Sequence, residues 1–87
     1  MNKNTLSAGD AAVSLKGHDT GRIYLVVANV SDGFALVCDG EYRKIDNPKL
    51  KRISHLRFLQ KEYDEQAMQT LKLKDADVKK TLKKHGR

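Results

Sequence analysis

Six cationic side chains fall within fifteen residues: Arg43, Lys44, Lys49, Lys51, Arg52 and Arg57, with Asp46 the only acid among them. Long cations at that density suit the neutralisation of a phosphate backbone, which needs charge and reach rather than a fixed base sequence. Strand alternation puts Arg43 and Ile45 on one face and Lys44 on the other. Pro48 has no N–H to enter a ladder, so Lys49, Lys51 and Arg52 are expected on an exposed loop. A second candidate is Lys16-Gly17-His18-Asp19-Thr20-Gly21-Arg22. Its two glycines permit a tight loop that presents backbone N–H groups and Lys16 to a phosphate or to a splayed base, with Arg22 flanking it. No Gly-Lys-Ser/Thr closes it, so it is not a Walker loop. The plain alternative for both segments is a solvated surface and a turn whose glycines serve geometry alone.

Catalysis has little to work with. Ser14, His18 and Asp19 are close in sequence, but no nucleophile elbow surrounds Ser14. His18 reads as a loop tip, His55 as a structural partner at the start of a strand, and His85 as part of the tail; together they lack metal-ligand spacing. The single cysteine, Cys38, allows neither an internal disulfide nor a Cys-rich zinc site, and reads as a small buried hydrophobe. No enzyme activity, metal or cofactor is expected. Base stacking would need exposed aromatics, and the supply is Tyr24, Phe34, Tyr42, Phe58 and Tyr63. Phe34 and Phe58 read as core and Tyr63 as a helix-packing residue. Tyr42 is the one stacking candidate, with core burial the favoured reading.

The elements that must position these residues fit one small domain. The chain has 87 residues and a formal net charge of +6. At its mass, folding buries roughly 64% of the unfolded surface, enough for a single modest core. Residues 1–40 carry a net −1, residues 41–60 a net +4 and residues 61–87 a net +3. That asymmetry points to a polyanionic partner, nucleic acid being the commonest. The longest strongly apolar run, Ile23 to Ala28, is too short to span a membrane, and no basic segment followed by an apolar one opens the sequence. A cytoplasmic protein, monomeric when free and without membrane contact, is the expectation.

Residues 1–8 read as a flexible lead-in, residues 9–59 as a small barrel and residues 60–87 as a helical extension. Strands are expected over Asp10–Leu15, Arg22–Val30, Phe34–Cys38 and Glu41–Ile45, with a last one through Leu56 and Phe58. Arg22–Val30 is apolar on both faces, which suits a strand central to a closed or sharply curved sheet. Asp39-Gly40 is a type I′ hairpin signal, which needs positive φ at both residues. Leu59, Tyr63, Ala67 and Leu71 recur every fourth residue and predict an amphipathic helix. Asp75 is positioned to cap a last helix through Lys84, with Val78 and Leu82 inward and Gly86 as a C-terminal stop. Lys79 with Lys83, and Lys80 with Lys84, make a lysine ridge on that helix. A solvated, dipole-compatible cap is its favoured reading.

The loop holding Gly17 and Gly21, set between a short strand and a long apolar one, resembles a KOW motif. A more extended likeness follows in Asp39-Gly40-Glu41-Tyr42-Arg43-Lys44-Ile45-Asp46-Asn47-Pro48-Lys49-Leu50-Lys51 and His55-Leu56. It resembles bacterial KOW-domain RNA-binding proteins that are similar to large-subunit ribosomal proteins. Their Asp-Gly turn, Arg-Lys pair, Asn-Pro-Lys-x-Lys segment and His-Leu pair recur in this order. The resemblance implies a mostly β, SH3-like barrel of about five antiparallel strands with one or two C-terminal helices. It implies a non-catalytic, ribosome-associated role in translation, through a basic RNA-binding surface of Lys16, Arg22, Arg43, Lys44, Lys49, Lys51, Arg52 and Arg57. Where the family carries Gly-Arg-Asp, this chain has Gly17-His18-Asp19, so a permanent cation is replaced by a side chain mostly neutral at pH 7. The alternative function is a protein-interaction module docking an acidic partner of the translation or transcription machinery.

Overall fold

The computed structural model describes residues 6–30 and 32–86. Five strands, β1 (Asp10–Ser14), β2 (Ile23–Asn29), β3 (Phe34–Cys38), β4 (Lys49–Arg52) and β5 (Leu56–Lys61), form one antiparallel sheet in the order β4-β3-β2-β1-β5. A 3-10 turn over Ile53–His55 carries the chain from one edge strand to the other. Two short helices follow, α1 (Glu65–Thr70) and α2 (Asp75–Lys83). The fold is therefore mostly β with a helical C-terminal part. Among the described residues, no helix is long and apolar enough to cross a membrane.

The two apolar faces of β2 are explained by a core on each side of the sheet. Tyr24 and Val26 pack with Leu6, Ala12, Ala35, Val37, Ile53 and Leu56, and Phe58 lies against that cluster. Leu25 faces the opposite way, into Ala11, Cys38, Val78 and Leu82, with Ile23 and Val27 alongside. Val78 and Leu82 come from α2, so that helix packs on the sheet through the face its sequence pattern predicts. Register shifts leave Val27 of β2 and Leu59 of β5 as extra residues between paired positions, bulges that bend and twist those two strands. Cys38 is fully buried in the second cluster. Burial, together with the nearby Asp75 and Asp39 carboxylates, pushes its thiol up to about 12.

Several local expectations give way to long-range contacts. No strand forms over Glu41–Ile45, because carboxylates take the N–H groups a ladder would use. Asp39 Oδ1 accepts from the N–H of Glu41 and of Arg43, at 3.0 and 2.8 Å, and Asp75 Oδ1 accepts from Ile45 N–H at 2.7 Å. The strand that pairs with β3 is instead β4, which starts immediately after Pro48. Lys49, Lys51 and Arg52 thus lie on an edge strand and not on an exposed loop. Asp39-Gly40 is not a type I′ turn: Gly40 has φ 82°, but Asp39 has no positive φ. The paired positive values occur one hairpin earlier, at Asp32 and Gly33 (62° and 82°).

The four-residue apolar period also divides. Leu59 remains in β5, and the N–H groups of Glu62 and Tyr63 donate to the Gly9 carbonyl at 2.8 and 3.1 Å. Asp64 then caps α1 by accepting from Ala67 N–H at 2.7 Å. Leu59 and Tyr63 keep their common facing because both lie against the α2-side cluster. Gly86 does not adopt the left-handed stop conformation. In the expected lead-in, residues 1–5 lie outside the described residues, whereas Leu6 is buried and its carbonyl accepts from Asn29 Nδ2 at 2.6 Å.

Candidate nucleic-acid interface

The first loop is built around a buried carboxylate. Gly17 and Gly21 take φ of 96° and 91°, folding Lys16–Arg22 so that Asp19 turns inward while His18 stays exposed at the tip. Asp19 accepts from Ser14 Oγ (2.8 Å), Tyr24 Oη (2.5 Å), Lys51 Nζ (3.0 Å) and Lys49 Nζ (3.1 Å). Burial alone would raise its pKa; the hydrogen bonds from Tyr24, Lys51, Ser14 and Lys49 outweigh that and hold the carboxyl well below the usual carboxylate range. Burial, then the bond to Asp19, pushes the Tyr24 phenol up. Lys51 is 8% exposed and also donates to the Lys16 carbonyl at 3.0 Å. Register explains the encounter: Lys49 and Lys51 stand opposite Val37 and Ala35, on the face of the inner cluster.

A different basic surface opens on the other side of the sheet. A groove of about 950 Å³ lies between the first loop, the Asp39–Tyr42 turn, β5 and α2. Arg22, Arg57, Lys79, Lys80 and Lys83 line it with His18 and His85, against the three carboxylates Asp19, Asp39 and Glu41. Arg57, Lys79, Lys80 and Lys83 are exposed and have no ion-pair partner among the described residues. Arg22 is 3.8 Å from Asp39 and lies over the Tyr42 ring, 4.1 Å from its centroid. Tyr42 is 68% exposed, which corrects its expected burial.

Gly40 brings the turn and the helix together. A Cβ at this position would stand 2.4 Å from the Asp75 carbonyl oxygen and 2.9 Å from Lys79 Cγ. Only glycine admits so close an approach at positive φ. At its far end α2 is tied to the β5–α1 connection, where Glu62 bonds Lys84 Nζ at 2.8 Å and meets His85 Nε2. Burial would raise the Glu62 pKa, but its bonds to Lys84 and His85 hold it below the usual range.

No known protein family matches this chain, and no curated protein matches it.

The eight cations named from sequence are therefore separated. Arg22 and Arg57 line the groove. Lys49 and Lys51 are ion-paired to Asp19, and Lys16 is exposed beside them. Arg52 lies over the Phe34 ring, 4.9 Å from its centroid. Lys44 is exposed, and Arg43 is half-buried with Nη1 donating to the Asn47 carbonyl at 3.4 Å. The groove gains Lys79, Lys80 and Lys83, residues that the ridge pattern exposed but could not place opposite Arg22 and Arg57. Their adjacency to the buried positions Val78 and Leu82 is the local signal that they flank a packed face. Among the described residues, no group of three or more His, Cys, Asp or Glu side chains is arranged to hold a metal ion.

Proposed function

We propose that this protein is a non-catalytic binder of structured RNA, with ribosomal RNA the foremost candidate from the KOW resemblance. The observation that carries the reading is the groove in which five permanent cations from three separate parts of the chain face one open space. Arg22 comes from the first loop, Arg57 from β5, and Lys79, Lys80 and Lys83 from α2. Gathering like charges on one concave surface raises the local potential and favours a polyanion. Phosphate contacts of this kind set position and affinity, while the shape of the folded RNA sets preference. Lys16, Lys44 and Arg52 extend the positive surface outside the groove. Lys49 and Lys51 support it indirectly by holding the first loop through Asp19.

Engaging about five phosphates predicts an affinity loss of roughly 10²- to 10³-fold between 50 and 200 mM salt. The test is binding of the whole protein to a folded ribosomal RNA fragment over that salt range, with an acidic polypeptide as the control. A steep negative slope of log K on log salt, with preference for RNA, supports the reading. Weak RNA binding at low salt by the folded protein, with capture of the acidic polypeptide, overturns it in favour of a protein partner.

A further inference from the structure

We infer that Tyr42 is a stacking platform for one unpaired base of the bound RNA, an inference that rests on the RNA-binding reading above. Tyr42 is 68% exposed although it sits on an ordered turn. The Asp39 carboxylate accepts from the N–H groups of both neighbours, Glu41 and Arg43, so the backbone that carries the ring is held on each side. The Asp39 and Gly40 N–H groups each donate to the Arg43 carbonyl at 3.0 Å, which closes the turn. A platform fixed before binding needs little further ordering when a ligand arrives.

Arg22 covers one face of the ring, with its guanidinium carbon 4.1 Å from the centroid and Asp39 3.8 Å from Nε. With Arg22 on one face, the opposite face is the one assigned to the base. A base laid on that face completes a guanidinium–phenol–base stack, and Lys79 and Lys83 on the adjoining groove wall are placed to take flanking phosphates. The Tyr42 hydroxyl has no partner among the described residues and stays free for a base edge or a ribose 2′-OH. Duplex stacking covers both faces of a paired base, so the ligand class is an RNA with a bulged or looped-out nucleotide. One ring serves one base, which fits a folded RNA with a single extruded nucleotide better than a long single strand.

The experiment uses two RNA hairpins with the same stem, one fully paired and one carrying a single 2-aminopurine bulge. The whole protein is expected to bind the bulged hairpin about 5- to 100-fold more tightly and to quench the 2-aminopurine fluorescence. Tyr42→Leu should abolish the preference and the quenching while leaving the salt slope on the paired hairpin unchanged. Tyr42→Phe should retain both, because the stacking face survives. Preference and quenching that persist in Tyr42→Leu, or equal binding of both hairpins by the unaltered protein, overturn the platform while leaving phosphate binding intact. Failure of the unaltered protein to bind either hairpin at low salt overturns the RNA-binding reading itself, and the platform with it.

Discussion

Lys51 and Lys79 carry the same ammonium group and meet opposite fates. Lys51 reaches a carboxylate thirty-two residues away in sequence and is almost wholly withdrawn from solvent. Lys79 stands exposed on α2 with no ion-pair partner among the described residues. The first region, around Asp19, uses positive charge to hold a loop and an edge strand together. The second, the groove beside α2, leaves it open to a partner. Formal charge in a sequence therefore overstates the charge available for binding, because burial and pairing remove part of it. Of the six cations between Arg43 and Arg57, only Arg57 lines the groove.

The strongest way to separate the two regions is to remove Asp19. Asp19→Ala strands Lys51 as a buried, unpaired charge and should cost about 3–5 kcal/mol, read as a lower urea midpoint. A loss of that size lowers the melting temperature by roughly 12 °C or more. The same interaction responds to acid. The folded-state pKa of Asp19 lies below its unfolded value, so its stabilisation is fully present above the unfolded pKa and fades as pH falls toward the folded one. Unfolding free energy measured against pH should show this contribution unchanged from pH 7 to 5 and falling below about pH 4. Asp19→Asn should lack that part of the slope.

Gly40→Ala attacks the second region through its geometry. The added Cβ meets the Asp75 carbonyl at a positive φ, and a cost of about 1–3 kcal/mol is expected, with α2 loosened from the sheet in hydrogen exchange. RNA affinity should fall with it, because the groove loses one wall. The smallest effect on stability, within about 0.5 kcal/mol, is expected for Lys79→Ala combined with Lys83→Ala. That pair should make the salt slope of RNA binding shallower by about 1.4–1.8. An unchanged slope would show that the groove does not hold the phosphates. Equal stability losses from this pair and from Asp19→Ala would erase the contrast between the regions.

Much of the fold was legible where pattern and packing agree. The doubly apolar β2, the glycines of the first loop, and Val78 with Leu82 on α2 each find the environment their spacing implies. The site was less legible. Arg22 and Arg57 could be named from sequence, but nothing local placed Lys79, Lys80 and Lys83 opposite them. Tyr42 was misread because an aromatic in an apparent strand is usually buried, and that strand does not exist. Its N–H groups go to Asp39 and, thirty residues on, to Asp75. Asp19, which the sequence offers only as a loop residue and as a neighbour of Ser14 and His18 in an incomplete catalytic grouping, is the hub of four side-chain bonds.

By itself the sequence determined the local choices: which segments extend, where glycine must turn the chain, and which face of the last helix is apolar. These follow from φ preferences and from side-chain periodicity, properties of neighbouring residues. Tertiary structure alone decided which cations are neutralised and which face the groove. It also decided that the segment after Asp39 forms a turn bearing an exposed tyrosine instead of a strand. Those outcomes depend on carboxylates and backbone groups brought together from distant positions, and hydrogen bonding and burial are settled by who arrives there, not by who is next in the chain.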